Sequence, residues 1–170
     1  MYSAEYEIEL ELDRENAWQK LRDISHPDCY VQGLSQVEMT TEQREGVGAS
    51  RRVHQGKSIV LDETVTEWQE GEGFTIRLHR GGKGPVPPMQ EAWFDYGIRE
   101  RDGRIYLHNR MRYRVGLGPL GSLLNTLVLR KMIASAVRDT TIGQKLYYER
   151  GDKVTPAALQ AAKAELAGSA

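Results

Sequence analysis

The strongest constraint on this chain is an order of elements: an unbroken run of short strands followed by one long helix and no further strand. From Leu34 to Val115, apolar and polar residues alternate in short stretches divided by glycine clusters. The stretches are Val37 to Thr41, Ala49 to Gln55, Ser58 to Trp68, Phe74 to Arg80, Gln90 to Arg99 and Arg104 to Val115. Another strand precedes them, with Tyr6, Ile8, Leu10 and Leu12 on one face and Glu5, Glu7, Glu9 and Glu11 on the other. Asp13 then offers an N-cap to a short helix carrying Ala17, Leu21 and Ile24, which ends at Ser25-His26-Pro27-Asp28, with a second turn after Pro27. Leu117 to Arg150 reads as a long helix, or a short one leading into a long one, because its apolar face changes at Arg130 and Lys131.

An antiparallel meander that ends in one long helix has an economical solution, in which a curved sheet wraps around the helix. The expected fold is therefore α+β, a helix-grip fold of seven antiparallel strands around the C-terminal helix, with short helices after the first strand. The last strand carries Arg104, Arg110, Arg112 and Arg114 on its outer face, complementary to the glutamate row of the first strand. The two strands are expected to be neighbours. A turn at Glu100-Arg101-Asp102-Gly103 would set Ile98 opposite Ile105, Tyr96 opposite Leu107 and Phe94 opposite Asn109. Residues 1–151 form one domain in this reading. Residues 152–170 form an alanine-rich tail, helix-prone but with few groups to bury, and so mobile or loosely docked.

Composition narrows the function. Lys and Arg number 23 against 24 Asp and Glu, so no whole-molecule field attracts a polyanion. A single cysteine, Cys29, excludes an internal disulfide. The N-terminus has neither the basic region nor the apolar stretch of a signal peptide, and the expected location is cytoplasmic. Gly116-Leu117-Gly118-Pro119-Leu120-Gly121 matches G-x-G-x-x-G, but no strand follows its helix and Pro119 removes a donor, so a hinge explains it better than a dinucleotide site. No cofactor is expected. His54, His79 and His108 share rows with outward arginines, and His26 near Cys29 marks a helix end, so no metal is expected either. The arginine row lacks interleaved stacking aromatics, apart from Trp93, which argues against nucleic acid.

Three sequence blocks carry a family resemblance: Val47-Gly48-Ala49-Ser50-Arg51-Arg52-Val53, Asp62-Glu63-Thr64-Val65-Thr66-Glu67-Trp68, and Gly118-Pro119-Leu120-Gly121-Ser122-Leu123-Leu124 leading to Leu129-Arg130. Over roughly residues 4–150 the chain resembles the START-like (SRPBCC) superfamily, and within it the polyketide cyclase/dehydrase-like group. The resemblance implies an internal hydrophobic cavity between sheet and helix, used across that superfamily for sterols, lipids, quinones, polyketides and plant hormones. Packing argues the same way, since a sheet curved around one helix leaves apolar space that a ligand can fill.

Two polar residues interrupt inward rows. Glu63 falls among Ile59, Leu61 and Val65; it is a proton donor or general acid/base if it lines the cavity. The alternatives are a barrel-edge position, a buried bond to an arginine such as Arg52, or the opposite register with Val60 and Trp68 inward. Asn109 interrupts Ile105, Leu107, Met111, Tyr113 and Val115, and needs a partner in a ligand carbonyl, Tyr96, Tyr147 or water. On the helix, Thr140, Gly143 and Tyr147 continue the face of Ile133 and Ala136; Gly143 implies close approach of the sheet or room for ligand. The expected ligand wall is thus Glu63, Phe94, Tyr96, Asn109, Met111, Tyr113, Thr140, Gly143 and Tyr147. Meander parity gathers the Gly56 turn, the Gly81 to Pro88 loop with Gly82 and Pro87, and Leu117, Leu120 and Leu124 at one rim, the expected entrance. Leu117 to Leu124 would also serve transient membrane contact or a homodimer. The expected function is binding or carriage of a hydrophobic small molecule. The alternative is a polyketide aromatase/cyclase or dehydratase working through Glu63 and Asn109.

Overall fold

The computed structural model describes residues 1–116, 118, 121, 123 and 125–168. β1 (Tyr2–Leu10) alternates as its sequence dictates, with Ile8 and Leu10 buried. Asp13 then caps α1 (Arg14–Leu21) by accepting from the Asn16 N–H at 2.8 Å, and α1 buries Ala17, Trp18 and Leu21. A 3-10 turn follows at Pro27–Cys29. The meander consists of β2 (Leu34–Met39), β3 (Ser50–Gln55), β4 (Ile59–Gln69), β5 (Gly73–His79), β6 (Met89–Arg101) and β7 (Arg104–Val115). All seven strands form one sheet in the order β1-β7-β6-β5-β4-β3-β2, so first and last strands are neighbours.

The charge rows share the outer face, but their partners differ from the expectation. Glu9 meets Arg104 at 3.1 Å and Glu5 meets His108 at 3.3 Å, whereas Arg110 and Arg112 both turn to Asp95 on β6. Asp95 lies directly across from Arg110 and offers two oxygens that also accept from Thr75, a more enclosed site than the exposed Glu5.

Local register departs from the sequence reading in three places, each for a backbone reason. The β6–β7 turn is tighter than expected: Asp102 and Gly103 both take positive φ (55° and 73°), as a two-residue hairpin of the Asp-Gly kind requires. Pairing therefore shifts by two residues, to Ile98 with Leu107, Tyr96 with Asn109 and Phe94 with Met111, which preserves the inward face. A bulge in β4 between Val65 and Glu67 then reconciles two registers that sequence treats as exclusive, since Leu61, Glu63 and Val65 face inward before it and Trp68 faces inward after it. A second bulge, between Met89 and Glu91, brings Met89 rather than Gln90 onto the inward row opposite Val115.

A π-helical turn (Asn125–Leu129) leads into α2 (Arg130–Arg150), which ends on Gly151 at φ 83°. The helix lies along the concave face. At its far end Lys145 donates to the Glu9 carbonyl at 2.9 Å and Glu149 accepts from the Glu11 N–H at 2.7 Å. The buried face of α2 runs through Ile133, Val137, Thr141, Gln144 and Tyr148, while Met132 and Ala136 are exposed and Thr140 and Tyr147 are half-buried. The expected face is thus rotated by about one residue, because the Pro27–Tyr30 segment occupies the flank that sequence assigned to the cavity. The tail forms α3 (Pro156–Gly168), which buries Leu159 and pairs Lys163 with Asp139 of α2 at 2.8 Å, while Val154 before it donates to the Cys29 carbonyl at 2.8 Å.

Candidate functional site: a buried polar cluster below an apolar concavity

Strand alternation puts Arg51 on the inward row of β3 with Ala49 and Val53, and pairing puts it opposite Glu63. Its guanidinium is 2% exposed and donates from Nε to Glu63 Oε2 at 2.6 Å. Nη1 donates to the Ile24 carbonyl just beyond α1. The phenols of Tyr30 and Tyr96 lie within electrostatic reach of Arg51. Burial alone works against the charge on Arg51, but Glu63 and the two phenols outweigh it and hold the guanidinium protonated beyond its ordinary range. Burial pushes the phenols of Tyr30, Tyr96 and Tyr148 upward, so all three remain neutral O–H groups at physiological pH. Glu63 thus faces inward as a salt-bridged carboxylate, and its arginine is Arg51 rather than Arg52, which pairs with Asp62 on the outer face.

Beside this cluster, β7 and α2 meet through side chains. Asn109 Nδ2 donates to Thr141 Oγ1 at 3.0 Å and to Gln144 Oε1, Thr141 donates to the Val137 carbonyl at 2.7 Å, and Gln144 donates to the Tyr148 hydroxyl at 3.1 Å. Asn109, Thr141 and Gln144 are fully buried. Asn109 Oδ1 accepts no hydrogen bond among the described residues. The partners of Asn109 are therefore helix residues that the sequence reading passed over, rather than Tyr96 or Tyr147. Their signal was available: Thr141, Gln144 and Tyr148 recur at 3 and 4 residues, the spacing of one helix face. Arg51 carried a signal too, as the one cation between Ala49 and Val53 on the inward row.

Gly143 has a steric reason of a different kind from either expectation. A Cβ there would stand 2.3 Å from the Tyr30 carbonyl oxygen, so the glycine admits the backbone of the 27–30 segment, not sheet or ligand. Tyr147 lies on the same flank, its ring 6.1 Å from that of Tyr30. Thr140, Gly143 and Tyr147 are consequently apart from the inward groups of Glu63, Phe94, Tyr96, Asn109, Met111 and Tyr113, which share the concave face.

Along that face the character changes from polar to apolar. Toward the end of the sheet where β5 leaves and β6 enters, the inward side chains are Leu78, Met89, Met111 and Val115, joined by Leu129 from the π turn; all keep partial exposure while packing against the core. Ala92, Phe94 and Tyr113 are buried beneath them. Gly116 donates to the Pro88 carbonyl at 2.9 Å, which ties the end of β7 to the loop containing Gly82 and Pro87, and the Gly56 N–H donates to the Gly33 carbonyl at 3.1 Å. Leu117, Leu120 and Leu124 lie outside the described residues. A separate hollow of about 320 Å³ between α1 and α2 is walled by Lys20, Asp23, His26, Tyr30, Tyr147 and Tyr148, so Tyr147 lines this hollow rather than the concave face.

This arrangement, one curved seven-stranded sheet gripping a long helix over a mixed polar and apolar interior, is the helix-grip fold. The chain belongs to the polyketide cyclase / dehydrase and lipid transport family, whose model matches residues 1–143. The fold is similar to that of TTHA0849 from Thermus thermophilus, with a TM-score of 0.67 at 14% identity over 88% of this chain and 99% of that one. It is also similar to Ara h 8.0201 (TM-score 0.61, 13% identity, 87% and 97% covered) and to the di-domain ARO/CYC BexL from the BE-7585A biosynthetic pathway (TM-score 0.64, 12% identity, 86% and 47% covered). No curated protein matches the chain. Family membership assigns the chain to hydrophobic-ligand binding or polyketide cyclisation as a class. No helix among the described residues is long and apolar enough to cross a membrane.

Proposed function

We propose that this protein binds and carries a hydrophobic small molecule between the sheet and α2, with the apolar body against Leu78, Met89, Met111 and Val115 and a polar end toward Asn109. The observation that carries the reading is the half-exposed apolar row itself. Side chains on the concave face of a sheet are normally sealed by the layer above, and apolar surface left open there is a favourable place for an apolar ligand. The buried acceptor Asn109 Oδ1 adds a selective element, since a ligand hydroxyl or N–H would relieve an otherwise costly orphan.

Carriage is favoured over cyclisation by the state of the polar groups. Cyclisation or dehydration needs a group able to accept a proton from the bound chain. Glu63 is engaged by Arg51, and the three phenols stay protonated, so the interior offers donors and an amide acceptor but no free base among the described inward residues. The test is a titration with dansyl-undecanoic acid, comparing the parent protein with Met111→Trp, which fills the concavity without touching the polar cluster. At least a tenfold loss of affinity is expected in the variant. Equal affinity would overturn the assignment of this space.

A further inference from the structure

We infer that the rim around this concavity is a docking surface for anionic lipid bilayers. Leu127, Val128 and Met132 are exposed at 64%, 44% and 61% on the π turn and the first turn of α2, and Leu123 and Met1 are exposed nearby. Large apolar side chains in such a group are costly in water unless something covers them. The same rim is cationic. Arg130 and Lys131 sit between Val128 and Met132, Arg80 and Lys83 lie in the β5–β6 loop, and Lys57 lies in the β3–β4 turn; all five are exposed, and none forms an ion pair among the described residues.

These groups share one end of the molecule. Tyr2 pairs with Tyr113 near the end of β7, Arg130 acts electrostatically on Tyr113, and Gly116 is hydrogen-bonded to Pro88 in the β5–β6 loop. Near this rim along the strands, Asp62 and Glu91 are each taken up by an arginine, Arg52 and Arg114, and Glu38, level with Asp62, meets His54 at 3.7 Å. At the opposite end Glu11, Glu15, Glu42, Glu72 and Asp102 are exposed. In a chain of net charge −1, five exposed cations without an ion pair among the described residues thus surround exposed apolar side chains at this rim. That combination matches a bilayer surface, where apolar side chains enter the headgroup boundary and cations meet acidic lipid. Docking there would bring the open end of the concavity against the membrane.

The inference goes beyond the carriage reading and is read out without any cavity ligand. Co-sedimentation of the full chain with vesicles of phosphatidylcholine alone, or of phosphatidylcholine and phosphatidylglycerol, measures it. Binding is expected on the mixed vesicles, weakened by high salt and much lower on neutral ones. Arg130→Gln/Lys131→Gln should weaken it about 30-fold, from roughly 1 kcal/mol for each cation near an acidic leaflet. Leu127→Ser/Met132→Ser should weaken it on both vesicle types, and all four positions are exposed, so circular dichroism should confirm an intact fold. Binding that ignores lipid charge, or is unchanged in both variants, would overturn the inference. So would concentration-dependent dimerisation abolished by Leu127→Ser, which would assign the face to a second copy of the chain. Dansyl-undecanoic acid binding that survives in the vesicle-deficient variants would separate loss of docking from loss of the cavity.

Discussion

Removing Arg51 or Glu63 singly should cost far more stability than removing both. The guanidinium is 2% exposed and the carboxylate 12% exposed, at 2.6 Å, so each partner alone would be a charge held out of water. Breaking a buried pair from one side costs about 3 to 5 kcal/mol. Arg51→Met additionally releases the Ile24 carbonyl. In a domain of this size each kcal/mol corresponds to roughly 2 to 4 °C, so Arg51→Met and Glu63→Leu should each lower Tm by about 6 to 20 °C. The double variant Arg51→Met/Glu63→Leu leaves no buried charge. Its remaining loss is that of the orphaned Ile24 carbonyl, about 1 to 3 kcal/mol, less than either single change. Urea denaturation of the four proteins forms a double-mutant cycle. Additive losses, or single losses under about 1 kcal/mol, would refute the view that this pair is a closed structural unit and would return Glu63 to candidacy as an acid/base.

Other outcomes follow from the same packing and charges. Gly143→Ala should destabilise by about 1 to 3 kcal/mol despite the better helix propensity of alanine, because its Cβ would meet the Tyr30 carbonyl; a stabilised variant in urea denaturation would contradict this. Burial works against the Asp95 charge, but hydrogen bonds from Arg112, Arg110 and Thr75 outweigh it and hold its pKa below the ordinary 3.8. Its stabilisation is therefore present above about pH 4 and lost as pH falls through the lowered value, and Asp95→Asn should flatten that acid limb of the stability curve. The phenols of Tyr30, Tyr96 and Tyr148 carry raised values from burial, so their stabilisation is complete below about pH 10 and lost as pH rises through those values. In an absorbance titration they should ionise only with unfolding; reversible ionisation of all eight tyrosines near pH 10 would contradict their burial.

Much of the architecture was legible because it rests on local periodicity. The alternation of Tyr6, Ile8 and Leu10 and the placement of Asp13 specify a strand, a stop and a helix start without reference to anything distant. The adjacency of β1 and β7 was legible from charge complementarity, even though the bonds formed by Arg110 and Arg112 go to Asp95. Bulges were not legible, since one extra backbone residue at Thr66 or Gln90 leaves no compositional mark and yet decides that Trp68 and Met89 face inward. The rotated face of α2 was hidden for a related reason. Gly143 announces a close approach but not which segment approaches, and only tertiary packing shows it to be the backbone at Tyr30. Within the site, Glu63 and Asn109 stood out as polar breaks in apolar rows, while their partners Arg51, Thr141 and Gln144 became visible once strand and helix were brought together.

The most direct test of ligand carriage uses the five methionines as reporters. With methyl-labelled methionine, the nuclear magnetic resonance signals of Met89 and Met111 should shift saturably as dansyl-undecanoic acid is added, because both lie on the open concave row, while Met39 on β2 stays unmoved. Shifts confined to Met1, Met39 or Met132, or shifts that grow without saturation, would contradict a ligand site between the sheet and α2.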